Sequence, residues 1–144
     1  MDNIDVKQLK KALEAEGLEV FRTRGEEVHL AERHNLQRRE AGVRVRGGAP
    51  PAVTVVVHAQ RNDAPQLDDA ALFALVRGRL DGLLARGYVE HDAAARRITS
   101  VSDPHHLLDT WYEVTLVRPV ASLDEAVVEA RAAFAAERYV HPSR

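Results

Sequence analysis

Cysteine is absent from the 144 residues, which excludes disulfides, thiolate zinc sites and a cysteine nucleophile. Aromatic residues are scarce, with one Trp, three Tyr and three Phe. No apolar run, the one around Val55 to Val57 included, approaches the roughly 20 residues that span a bilayer. The opening stretch MDNIDVKQLKKALEAEG carries Asp2 and Asp5 before any lysine and builds no apolar core, so it does not read as a secretory signal. A cytoplasmic protein is the expectation.

The motifs of common chemistries are missing as well. Gly47-Gly48 lacks the G-x-G-x-x-G spacing and the lysine of a P-loop, and it runs into Ala49-Pro50-Pro51 where a phosphate site needs a helix N-terminus. No G-x-S-x-G elbow is present. In HLAERH the histidines, His29 and His34, are five apart, whereas a helical zinc pair needs four. No metal or cofactor is expected.

What is present is a balanced globular composition, 45% apolar and 29% charged, with a net charge of -2. That length and balance predict a single domain over residues 1–144, burying about two thirds of its unfolded surface. The charges are unevenly spread. Arg22, Arg24, Arg33, Arg38, Arg39, Arg44 and Arg46 crowd one segment, while acids gather at Asp63 to Asp69 and Asp124 to Glu137.

Asp5 and Gln8 form a candidate capping box before Val6, Leu9, Ala12 and Leu13, and Gly17 stops the helix. From Leu18 the period falls to two, with a turn at Thr23 to Glu26, which predicts a hairpin. Asn35 to Ala41 is either a bulged continuation or an irregular crossing. Val43 to Arg46 alternates cleanly, residues 47–51 break the chain, and the β-branched run Ala52 to Ala59 predicts a second hairpin.

Asp68 or Asp69 caps a long middle helix with Leu72, Val76, Leu80, Leu83 and Leu84 as its apolar stripe. Gly78 and Gly82 within it mark either a close backbone approach or simple tolerance. Tyr88 to Glu90 and Arg97 to Val101 read as two short strands around a loop at His91 to Ala95. Thr110 to Val117 is a strand with Tyr112, Val114 and Leu116 on one face and Trp111, Glu113 and Thr115 on the other. Ser122 to Glu125 caps a final helix that buries Leu123, Val127, Ala130 and Phe134, and Tyr139 to Arg144 is a tail. The fold class is α+β: a mainly antiparallel sheet with an N-terminal, a long middle and a C-terminal helix packed on one face.

This order, with WYEVTLVRPVAS running into LDEAVVEARAAF, resembles the type III secretion chaperone-like group, including its stand-alone cytoplasmic relatives. The resemblance implies a non-enzymatic dimeric module that holds an extended segment of a partner protein.

The residues nominate two places for chemistry. If Arg44 and Arg46 share a sheet face with Arg22 or Arg24, their guanidinium groups form a stripe able to hold carboxylates or phosphates; the alternative is a solvated face paired to nearby glutamates. The second place is SVSDPHHLLDTWYEV. There Asp103-Pro104 starts a short helical turn over Pro104 to Leu108 that drops Leu107 and Leu108 toward the core, leaving His105 and His106 on the loop tip. The partner-binding candidates are thus Arg22, Arg24, Arg44, Arg46, His105, His106 and Trp111. The expectation is a binding or adaptor module for a protein or peptide, homodimeric, engaging its partner through a sheet face or edge. Two alternatives stand: a metal-dependent or acid/base enzyme on Asp103, His105, His106 and Asp109, and weak nucleic-acid binding through the arginine face. Only Phe21 lies near those arginines to stack a base, which weighs against nucleic acid.

Overall fold

The computed structural model describes residues 3–143; Met1, Asp2 and Arg144, which carry parts of the expected N-terminal stretch and tail, lie outside the described residues. Its elements are helix α1 (Val6–Ala15), strands β1 (Val20–Arg24), β2 (Glu27–His34), β3 (Gln37–Arg46) and β4 (Ala52–Gln60), helices α2 (Asp69–Arg77) and α3 (Asp81–Ala85), strands β5 (Val89–Thr99) and β6 (Leu107–Pro119), and helix α4 (Leu123–Ala135). The strands form a six-stranded, mainly antiparallel sheet in the order β1-β2-β3-β4-β6-β5. The α+β class read from the sequence holds.

The fold contains two compact units, residues 3–55 with 117–136, and residues 56–116 with 137–143. In the first, Asp5 caps α1 by accepting from the Lys7 N–H, and Gly17 ends the helix at φ +82°, a conformation other residues adopt only with strain. Leu9 and Leu13 are buried, as are Val28 and Leu30 of β2 and Val43 and Val45 of β3. The β1–β2 turn sits at Gly25-Glu26. Asn35 and Leu36 form a tight turn with positive φ at both positions, the twist that suits a two-residue hairpin. So Asn35 to Ala41 resolves as a turn and a bulged ladder, the register shifting between His29 and Ala31. In α4, Ser122 accepts from the Glu125 N–H and the Glu125 carboxylate accepts from the Ala121 N–H, the reciprocal exchange of a capping box shifted by one residue. Leu123 and Phe134 are half-buried, while Glu129 is buried and paired to Arg118 at 2.5 Å.

In the second unit the expected long middle helix is two segments. Gly78 caps α2 with its N–H still bonded to the Ala74 carbonyl, the Arg79 N–H then tightens onto the Val76 carbonyl, and α3 restarts at Asp81. Leu72, Val76, Leu80 and Leu83 are buried as expected, but Leu84 is exposed. A Cβ on Gly82 would meet nothing within 4 Å and one on Gly78 only ordinary contacts, so neither glycine serves a close approach. The expected pair of short strands around His91 to Ala95 is one continuous strand of 11 residues. Alanine is a poor strand former, but pairing beside β6 overrides that local preference.

Two further expectations fail here. Pro104 to Leu108 is no helical turn: residues 100–106 close a hairpin, with the Ser100 N–H donating to the His106 carbonyl, and Leu107 and Leu108 open β6 with about half of their surface exposed. Nor do residues 139–143 form a tail. The His58 N–H donates to the Arg138 carbonyl at 2.9 Å and the Val140 N–H to the His58 carbonyl at 2.8 Å, a parallel bridge beside β4 that buries Val140 completely.

Candidate partner-binding surface

In the first unit, strand pairing brings the arginines onto one face. Arg22 lies opposite His29 and His29 opposite Arg44; one step along, Arg24 lies opposite Glu27 and Glu27 opposite Arg46. Because side chains alternate along a strand, these two rows share the face opposite the buried valines Val28, Val43 and Val45. The arginine stripe expected from the sequence therefore exists, but β2 stands between its halves and inserts a histidine and a glutamate.

The row around His29 is a closed network. Arg22 Nε donates to His29 Nδ1 at 3.1 Å, which leaves the ring proton on Nε2, 2.7 Å from Glu27 Oε1. Glu40 bridges the two outer arginines, accepting from Arg22 Nη2 at 3.3 Å and from Arg44 Nη2 at 2.7 Å. His29 is buried beneath them. Arg33, Arg38 and Arg39 also have carboxylate partners, Glu19 for the first two and Glu32 for the third, and Arg38 covers the Phe21 ring. The solvated, paired reading fits these residues.

Arg24 and Arg46 differ. Both are exposed, and neither enters an ion pair among the described residues; Arg46 Nε donates only to the Pro50 carbonyl at 3.2 Å. Glu27, which separates them in the ladder, turns its carboxylate to His29. Two guanidinium groups in one row, above a sheet braced by the His29 network, could each donate two parallel hydrogen bonds to a carboxylate.

In the second unit Trp111 is half-buried in a stack. His58 lies 4.2 Å from its ring, nearly parallel at 10°, with Tyr139 next at 5.3 Å. Arg96 covers Trp111 at 5.0 Å and bonds Glu113 at 3.0 Å. Sequence reasoning named Trp111 but missed His58 and Tyr139. The outward position of His58 beside inward Val57 and Ala59 was a readable signal, whereas the docking of Tyr139 was not. On the inward side, the Tyr112 hydroxyl donates to Asp69 Oδ1 at 2.8 Å and accepts from Arg61, an interaction that raises the Arg61 pKa above its ordinary value. Arg77 grips Glu90 with two bonds of 2.9 and 3.0 Å, and that hydrogen bonding holds the Glu90 carboxyl below the usual carboxylate range.

His105 and His106 are exposed at the hairpin tip, where the Asp103 carboxylate accepts from the His105 N–H at 3.0 Å. Asp109 instead accepts from the Asn62 N–H at 3.1 Å and the Thr110 N–H at 2.7 Å. The four residues of the alternative enzyme site thus serve as backbone caps and loop positions, and among the described residues no three acidic or histidine side chains converge as metal ligands would. Among the described residues no helix is long and apolar enough to cross a membrane. Comparison with known protein families, curated proteins and solved structures finds no match to this chain.

Proposed function

We propose that the protein is a non-enzymatic binding or adaptor module, chaperone-like in mode and homodimeric, that works in the cytoplasm and holds an acidic, extended segment of a partner protein. The observation that carries this reading is the row of Arg24 and Arg46: two exposed guanidinium groups without carboxylate partners, beside arginines that share the Glu40 carboxylate. The two lie in one row across the strands, two inter-strand spacings or roughly 10 Å apart, so an extended segment that crosses the row would meet both with carboxylates a few residues apart. Arginine favours such pairing because its planar fork meets a carboxylate with two parallel bonds.

Fluorescence anisotropy with labelled acidic, neutral and basic peptides of equal length tests the reading, with a single-stranded oligonucleotide as a fourth probe. Saturable binding of the acidic peptide is expected, weakened about tenfold or more by Arg24→Glu with Arg46→Glu and left intact by His105→Ala with His106→Ala. Equal binding of neutral and acidic peptides would overturn it. Preference for the oligonucleotide, with a steep salt dependence, would transfer the face to nucleic acid.

A further inference from the structure

β5 ends the strand order, so one of its two sides has no neighbouring strand among the described residues. It is long for an edge, at 11 residues, and every residue from Val89 to Arg97 is exposed except Ala93, which is intermediate. Natural sheets blunt such edges with proline, charged side chains and lysine above all, bulges or short length. VEHDAAARRIT holds no proline, lysine or glycine. Its charges are sorted instead, with Glu90 and Asp92 before three alanines and Arg96 and Arg97 after them. Laid antiparallel against itself, such a strand sets acid against base.

We infer that β5 is the homodimer interface, two copies pairing edge to edge about a two-fold axis at Ala94. Symmetry narrows the register. An axis perpendicular to the sheet keeps each side chain on its own face, so one residue must lie opposite its own copy and the alternation of faces admits no half-step. With Ala94 on the axis, Asp92 faces Arg96 of the second copy, and the pair occurs twice. Ala93 on the axis would direct Glu90 to Arg96, but Glu90 is already gripped by Arg77, while Asp92 has no ion pair among the described residues. Ala95 on the axis pairs no opposite charges, and Asp92 or Arg96 there would place like charges in contact. The small alanines leave the two backbones free to approach, and Arg96, fixed by Glu113, extends into a row of carboxylate, guanidinium and carboxylate.

This inference rests on the homodimeric part of the proposed function and supplies its surface. Because the chain has no cysteine, a single introduced cysteine reports the register. Under mild oxidation Ala94→Cys should cross-link at least about tenfold faster than Ala93→Cys, Ala95→Cys or the loop control Val101→Cys, since directly opposite Cβ atoms lie about 5 Å apart, near disulfide range. Ala93→Cys mixed with Ala95→Cys should form the crossed heterodimer. In sedimentation, Asp92→Arg and Arg96→Asp should each weaken the dimer at least tenfold, and mixing the two should restore it; circular dichroism checks that each variant is folded. A chain that stays monomeric at several hundred micromolar, or Ala94→Cys cross-linking no faster than Val101→Cys, would overturn the interface. Acidic-peptide binding by Asp92→Arg separates the two ideas, because a monomer that still binds peptide leaves the arginine-face reading intact.

Discussion

Replacing Val140 with alanine tests the docking of the C-terminal segment, which holds Tyr139 in the ring stack of Trp111. Val140 is completely buried, and its N–H bond to the His58 carbonyl survives the change. Two methyl groups leave the core, worth about 0.8 kcal/mol each in transfer free energy. The partly collapsed cavity adds to that, for a total of about 2 kcal/mol. In a chain of this size such a loss lowers the melting temperature by roughly 4 to 8 °C. Urea denaturation followed by Trp111 fluorescence and by far-ultraviolet circular dichroism measures it. The midpoint should fall with an unchanged m-value, because the surface exposed on unfolding is nearly the same. A change below about 0.5 kcal/mol, the range of an ordinary surface substitution, would show that residues 138–140 are a free tail and that the stack is not held as described.

Tyr112→Phe removes a hydroxyl bonded to both Asp69 and Arg61 while keeping the edge contact with Phe73; a loss of about 1 to 2 kcal/mol in urea titrations is expected, and wild-type stability would contradict the network. The Arg77–Glu90 pair gives a pH dependence of definite sign. Its folded-state carboxyl pKa lies below the unfolded value, so its stabilisation is fully present above that ordinary value and fades as pH falls through the folded one. Arg77→Ala should flatten that acid limb in denaturation midpoints measured between about pH 3 and pH 7, and an unchanged slope would refute the assignment.

Much of the fold was legible because its signals are local. Asp5, Ser122 and Gly17 mark helix ends through hydrogen bonds spanning a few residues, and alternation in Tyr112, Val114 and Leu116 named the buried face of β6. What the sequence concealed depends on distant partners. The alanines of β5 look like a loop until β6 lies beside them, and Tyr139 looks like a tail until it meets His58 across some eighty residues of chain. The break after Arg77 is different in kind: the stripe of leucines continues through it, so apolar spacing alone gives no warning. The arginine face was partly readable, since alternation put Arg44 and Arg46 together. That His29 and Glu27 lie between them and β1 required the pairing order.

The most direct test of the proposed function is a nitrogen-15 shift map of the chain titrated with an acidic peptide. The expected result is movement of the Arg24 and Arg46 side-chain Nε signals and of the amides flanking them on β1 and β3, saturating together. Shifts confined to residues 100–109, or none at peptide concentrations up to about a millimolar, which corresponds to only about 4 kcal/mol of binding, would contradict the assignment of the partner site to this face.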